Sequence, residues 1–194
     1  MDPDNRILAM SLFVLVFLLV YGLMHTAFYL RVRVLLPPQG PARPALIFLL
    51  ALLLLGPVFE HQLAGRGLVQ ASRVAGYVAY IWMGFLFLAL CAGLCVRIYN
   101  GLASVSGPLF ELTLPRFAGK APAVLVLAVA MAGVLYGLAE ESRLRIVRLT
   151  LSTDRLPAGM ERVRIVQISD IHLGVLLGDP LARELASAAA RDKP

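Results

Sequence analysis

The sequence predicts an α-helical membrane protein with four transmembrane helices, followed by the start of a soluble α/β domain. Of the 194 residues, 59% are hydrophobic and 15% are charged, against roughly 25% charged in an ordinary soluble domain. The charges are also uneven: residues 1–139 hold nine Lys and Arg with four Asp and Glu, whereas residues 140–194 hold nine and eight. We therefore divide the chain into a four-helix transmembrane anchor, residues 1–141, and a second unit, residues 142–194.

Four apolar runs reach the length of about 20 residues that a membrane-spanning helix needs. They are Ile7–Leu30, Ala45–Leu63, Val74–Val96 and Ala121–Ala139. The first has no charge inside it and follows no positively charged segment, so it reads as a retained helix rather than a signal peptide. Gly56-Pro57 interrupts the second run. Pro122 opens the fourth in its first turn, where the missing N–H of proline costs nothing.

Four helices place both chain termini on one side of the membrane. The first and third connections, on the other side, carry Arg31, Arg33, Arg43, Arg97, Arg116 and Lys120. Basic residues are nearly balanced between the two sides, so the flanks of the first helix decide the orientation. Asp2, Asp4 and Arg6 precede that helix, and Arg31 and Arg33 follow it. This difference places the termini outside by the positive-inside rule. This predicts a multi-pass protein of the cell membrane with its C-terminal unit exported and its basic loops on anionic headgroups of the lipid bilayer.

The second unit reads as two strands and a short helix. Residues 147–152 alternate between apolar and polar side chains, which is the period of a half-buried strand. Residues 163–168 are largely apolar, as in a strand covered on both faces. Gly178-Asp179-Pro180 supplies an N-cap and a first-turn proline for an amphipathic helix. Strand, loop and helix make the first half of a βαβ unit, whose second strand is expected after Pro194.

The segment Arg164–Gly174, RIVQISDIHLG, ends the second predicted strand in an acid and a histidine. Ligands of open α/β sheets bind just past the carboxyl ends of strands, and residues two apart point to the same side of an extended chain. Asp170 and His172 can therefore converge on one cation. A carboxylate with an imidazole suits Mn²⁺, Fe²⁺ or Zn²⁺ better than Ca²⁺. The alternative is that Asp170 caps a turn and His172 is an ordinary loop histidine.

Residues Ile165–Gly174 resemble the first motif of the calcineurin-like metallophosphoesterases, in the branch whose phosphoesterase domain follows several membrane helices. The preceding hairpin, with Leu156-Pro157, resembles the same branch. The resemblance implies an α/β sandwich in which two metals, about 3.5–4 Å apart, hold a hydroxide that attacks a phosphate ester. It makes Asp170 and His172 ligands of the first metal, in a divalent pair of Mn, Fe or Zn.

The later motifs of that family, G-D-x-x-D, G-N-H-D/E and G-H-x-H, do not occur in the 194 residues. Gly178-Asp179 does not qualify, because Ala182 stands where the second Asp belongs. We therefore expect a truncated start of the phosphoesterase sandwich, with no complete set of catalytic residues and no second metal site. The resemblance implies that the complete parent hydrolyses phosphate mono- or diesters, lipid-linked ones included, and that residues 1–194 alone are inactive.

The main alternative is a non-enzymatic membrane scaffold, whose helices bind a partner and whose tail is a structural cap. The downstream reading frame distinguishes the two interpretations, because the enzyme requires the later motifs. A nucleic-acid partner is not expected, since the sequence has no basic stripe interleaved with aromatic residues.

Several residues inside the helices invite interpretation. His25 lies within about two turns of the end of the first helix, which favours a histidine at headgroup level over a proton- or metal-binding group. Trp82 is typical of an aromatic belt at the membrane interface, and Glu60 marks the interfacial end of the second helix. Gly133 and Gly137 allow close helix approach and are expected to pack inside the bundle.

Overall fold

A computed structural model describes residues 3–110, 113–141, 146–153, 155–157, 159, 162–169 and 179–191. In these residues the chain forms six α-helices, together with a short 3-10 helix, Arg33–Leu35, that extends the first of them. The α-helices are α1 Pro3–Val32, α2 Ala42–Leu54, α3 Gly56–Gly65, α4 Val69–Leu109, α5 Ala121–Glu141 and α6 Asp179–Arg191. The predicted α-helical character of the anchor is confirmed.

Three helices are long and apolar enough to cross a membrane, over Leu8–Leu35, Val69–Ser106 and Ala121–Glu140. Helices α2 and α3 form a fourth candidate span when they are taken together as a pair. The chain bends by 44° between them. The bend falls at Gly56-Pro57, where the sequence predicted an interruption: Pro57 cannot donate a backbone hydrogen bond to the preceding turn. The described residues thus hold three or four candidate spans, as expected of a membrane protein.

Helix α4 lies at the centre of the bundle and contacts each of the other four anchor helices. The core consists of Tyr21, Phe28, Leu50, Phe85, Leu86, Ala89, Val126 and Ala130. Many other apolar side chains of these helices point outward, including Phe13, Phe48 and Tyr136. Lipid tails are as apolar as leucine, so such outward faces carry no penalty in a bilayer. The bundle needs only a narrow internal core.

Glycines allow α4 to approach its neighbours closely. A Cβ added to Gly56 at the start of α3 would lie 2.9 Å from the Cβ of Ala79, and one added to Gly133 of α5 would lie 2.9 Å from a Cδ of Leu88. The predicted helix contact at Gly133 is confirmed. The prediction for Gly137 is wrong, because a Cβ there would meet nothing within 4 Å. Of the two glycines, only Gly133 meets a side chain of α4.

Helix α4 extends well beyond the predicted Val74–Val96 and converts residues 97–109 of the third connection into helix. The returning chain then lies beside this extension. The Tyr99 hydroxyl donates to the Pro115 carbonyl at 2.9 Å. The Asn100 amide both donates to the Phe117 carbonyl at 2.9 Å and accepts from the Phe117 N–H at 3.0 Å. These side-chain bonds satisfy backbone groups of the connection, which explains how it can pack along a helix without pairing as a strand.

The C-terminal unit shows its predicted helix, α6, which begins at Asp179 with Pro180 in its first turn. The two predicted strands are not seen, because residues 146–153 and 162–169 are neither helix nor strand. The expected α/β sandwich is therefore not seen in the part of the chain that the structure describes. A strand requires backbone hydrogen bonds from a neighbouring strand, whereas a helix bonds within itself.

Candidate functional site

The predicted metal ligands Asp170 and His172 lie outside the described residues. Their described neighbours, residues 162–169, lie in an irregular segment in which Ile168 is exposed. Within the described ranges, no group of three or more His, Cys, Asp and Glu side chains could hold a metal ion. The assignment of Asp170 and His172 as metal ligands thus stays a prediction from the sequence.

The best-defined polar cluster in the described residues joins α1 to α4 through His25 and Trp82. The His25 side chain is only 6% exposed. Its Nδ1 lies 2.8 Å from the Tyr21 carbonyl oxygen, and its Nε2 lies 2.9 Å from the Trp82 indole nitrogen. An indole N–H can only donate, so Nε2 must be the acceptor. The proton of a neutral imidazole then sits on Nδ1 and is donated to Tyr21.

Aromatic rings enclose this pair. The Tyr21 ring meets the imidazole edge-on with centroids 4.4 Å apart. Trp82 stacks on Phe85 at 5.3 Å and meets Phe28 in a T-shaped contact at 5.4 Å. Trp82 therefore packs against the bundle core, and its place in an aromatic belt stays a prediction.

His25 has no nitrogen left for a metal or a substrate, since both ring nitrogens are hydrogen-bonded. Nor does it face lipid headgroups, because its side chain is buried between helices. His25 is thus an interhelical residue, and its level in the membrane stays a prediction. Local sequence gave no sign of the pairing, because the two residues are 57 positions apart. The one signal was that Trp82 is the only tryptophan of the chain.

A second polar contact joins α3 to α4. The Ser72 hydroxyl, which is fully buried, donates to Oε1 of Glu60 at 3.1 Å. Tyr80 lies about two turns after Ser72 on α4. It also interacts with Glu60. An ionised carboxylate accepts such hydrogen bonds readily. Glu60 therefore connects α3 to α4 by hydrogen bonding, in addition to its predicted role as a marker of the end of the second predicted helix.

Both of these interhelical polar contacts suit stability rather than catalysis. Comparison of the chain with protein-family models, with curated proteins and with solved structures gives no match.

Proposed function

We propose that this chain is the membrane anchor and first metal-binding motif of a metal-dependent phosphoesterase, which hydrolyses phosphate mono- or diesters by a two-metal mechanism. The observation that carries the proposal is the sequence Ile165–Gly174, in which Asp170 and His172 follow a short apolar run. The resemblance of this segment to the first motif of the calcineurin-like metallophosphoesterases supports the proposal. So does its place after a bundle with three or four candidate membrane spans.

Asp170 would contribute a carboxylate oxygen and His172 an imidazole nitrogen to one of two divalent ions, Mn, Fe or Zn. When bound, such a metal pair supplies a hydroxide nucleophile and charge that stabilises the phosphoryl oxygens. The two side chains cannot supply this chemistry alone, because the bridging carboxylate and the remaining ligands belong to motifs that residues 1–194 do not contain. The α/β sandwich that the proposal requires would use residues 147–152 and 163–168 as strands.

The anchor would hold the catalytic domain close to the bilayer, which suits lipid-linked phosphate esters. The flanking charges of α1 favour an exported C-terminal unit. Fusions of alkaline phosphatase and of green fluorescent protein after Lys193 test this orientation in cells. We expect phosphatase activity without fluorescence, and fluorescence without phosphatase activity would reverse the orientation.

Activity tests the proposal most directly. The complete product of the gene should hydrolyse bis-p-nitrophenyl phosphate or p-nitrophenyl phosphate with Mn²⁺ and lose this activity with a chelator. Asp170→Asn and His172→Ala should each abolish turnover while the protein still reaches the membrane. Asp179→Asn is the matched control: it removes a nearby carboxylate that the proposal does not use, so activity should remain.

Residues 1–194 expressed alone should bind Mn²⁺ weakly, as expected of two ligands, and show no Mn²⁺-dependent turnover. Turnover by this segment that disappears with Asp170→Asn would show that other residues complete the site. A complete gene product without metal-dependent activity, whose Asp170→Asn variant behaves as wild type, would instead favour the non-enzymatic membrane scaffold.

A further inference from the structure

The end of α1 is attached to α4 by an arginine that lies on a glycine. Nη2 of Arg31 donates to the Gly93 carbonyl oxygen at 3.0 Å. A Cβ added to Gly93 would lie 2.8 Å from both Cζ and Nε of Arg31. A side chain at position 93 would therefore displace the guanidinium from its present place against the backbone of α4. The contact fixes the position of a positive charge at this end of the bundle.

A second arginine approaches the same place. Within α4, the Gly93 carbonyl also accepts the amide N–H of residue 97, four positions along the helix. Helical side chains lean toward the N-terminus of their helix, so the Arg97 side chain leans back toward the turn that Arg31 occupies. Arg97 is close enough to repel Arg31 electrostatically. Two positive charges thus lie near the same turn of α4, and Arg31 is partly buried there.

This positive pair has no counter-charge in the described part of the chain. Neither Arg31 nor Arg97 forms an ion pair there. The sequence offers little choice, since Glu111 is the only acid in residues 31–59 and 93–120. Each guanidinium has five N–H donors, and Arg31 uses one of them on Gly93. The pair is therefore rich in donors and would be stabilised by an anion.

Two connections of the chain meet at this end of the bundle. The first connection reaches it through Arg31, and the third connection reaches it through the bond from Tyr99 to Pro115. Nη2 of Arg43 donates to the carbonyls of Arg33 and Leu36, both at 3.4 Å, while its buried Nε has no hydrogen-bond partner among the described residues. Arg43 thus shapes the first connection, while Arg31 and Arg97 keep donors for a ligand.

The apolar surroundings identify the source of the anion. Leu30 precedes Arg31 on α1. On α4, Leu94 follows Gly93 and Ile98 follows Arg97. The side chains of Leu30, Leu94 and Ile98 are exposed. Their helices are candidate membrane spans, so these side chains meet acyl chains. An anion with acyl chains attached contacts both the arginines and this apolar surface, whereas free phosphate contacts only the arginines.

We propose that Arg31 and Arg97 form a binding site for the phosphate group of an anionic phospholipid. Guanidinium groups bind phosphate oxygens through charge-assisted, often bidentate hydrogen bonds. The Gly93 carbonyl orients one guanidinium, and the second completes the site from the next turn of α4. The site belongs to the anchor and does not depend on the proposed phosphoesterase activity.

The test uses the purified protein in neutral detergent with phosphatidylglycerol as the probe. Native mass spectrometry counts bound lipid, and thermal melting measures the stabilisation that lipid gives. Phosphatidylglycerol should bind and raise the melting temperature, while phosphatidylcholine and inorganic phosphate at equal concentration should not. The double variant Arg31→Gln/Arg97→Gln should weaken phosphatidylglycerol binding about tenfold or more, since it removes charge-assisted donors.

Arg6→Gln/Arg66→Gln is the matched control. It removes the same net charge from positions 25 or more residues away along the sequence, and it should leave lipid binding unchanged. Equal losses in both double variants would overturn the site in favour of overall charge. Stabilisation by inorganic phosphate equal to that by phosphatidylglycerol would overturn the assignment to lipid.

Two single variants keep the proposal testable if Arg31→Gln fails to fold. Arg97→Gln removes no bond to the backbone of another helix and should by itself weaken phosphatidylglycerol binding. Gly93→Ala keeps both charges but places a methyl group where the Arg31 guanidinium lies, so it should weaken binding as well. Wild-type lipid binding in both single variants would contradict the proposed geometry.

Discussion

Exposed apolar side chains have different surroundings in the two parts of the molecule, the bundle of residues 3–141 and the described residues that follow it. In the bundle, an outward leucine meets lipid and the backbone is hydrogen-bonded within each helix. After residue 145, Leu149, Leu151 and Ile165 are 81%, 87% and 84% exposed, outside every candidate span. Covering such a side chain contributes about 1.5–3 kcal/mol. Lipid can thus cover the outward apolar side chains of the bundle. The exposed apolar side chains after it would need other protein atoms to cover them.

This difference shows which signals a short sequence can satisfy by itself. A helix closes its hydrogen bonds between residues four apart, so α1, α5 and α6 form from local sequence. A strand forms its backbone hydrogen bonds with another segment of the chain. Residues 147–152 and 163–168 carry strand patterns but no regular structure. The strands that these patterns suggest therefore stay a prediction.

The largest expected effect separates the two regions by hydrogen exchange. In residues 1–194, amides of the α4 and α5 interiors should exchange at least about a hundredfold more slowly than amides of residues 146–153 and 162–169, because bundle amides are hydrogen-bonded and core amides open only rarely. Exchange measured by mass spectrometry after reconstitution in detergent resolves the regions.

The same measurement on the complete gene product sharpens the comparison. If residues 163–168 enter a sheet, as the proposed phosphoesterase requires, their amides should become protected while those of the bundle stay unchanged. Fast exchange of these residues in the complete protein would argue against the sandwich. Slow exchange in residues 1–194 alone would contradict the contrast between the regions.

A smaller effect distinguishes two glycines within the bundle. Gly133→Leu inserts a side chain into the contact with Leu88, where even a Cβ would lie 2.9 Å away. Overpacking of this kind costs about 1–3 kcal/mol, or more where the helices must separate. Gly137→Leu is the matched control, because its position is open. Thermal melting in detergent should fall for Gly133→Leu alone, and an equal fall for both variants would place Gly137 in a contact as well.

How far the sequence predicts this molecule depends on how local each signal is. The uncharged run before Arg31 predicts α1, Gly56-Pro57 predicts the break between α2 and α3, and Asp179-Pro180 predicts the start of α6. The sequence placed the end of this helix at Val96, whereas α4 continues to Leu109, with Asn100 bonded to Phe117 of the returning chain. Which of two glycines faces a neighbour depends on helix packing, and sequence spacing does not contain that information.

For the candidate site the limit is different. The segment Arg164–Gly174 identifies Asp170 and His172 through their residue types and their place after an apolar run. A metal site needs more ligands than these two, and the spacing of neighbouring residues cannot supply them. The Arg31 and Arg97 pair was likewise hidden, because the sequence shows two arginines in separate loops and only the contact at Gly93 brings them together.

The smallest expected effect concerns the hydrogen bond between His25 and Trp82, which holds α1 to α4. Interhelical hydrogen bonds in membrane proteins average about 0.6 kcal/mol and reach about 1.7 kcal/mol. Trp82→Phe should cost more than that, because it also removes part of a ring that stacks on Phe85. The single variant therefore does not isolate the hydrogen bond.

A double-mutant cycle does isolate it. With Trp82→Phe, His25→Phe and the double variant measured by reversible denaturation in mixed micelles, we expect a coupling free energy of about 1 kcal/mol. The sign follows from the geometry: once the indole N–H is removed, Nε2 of His25 is a buried acceptor without a donor, and replacing His25 then costs less than in the wild type. Coupling near zero would mean that water substitutes for the indole, and that packing of the surrounding rings alone holds α1 against α4.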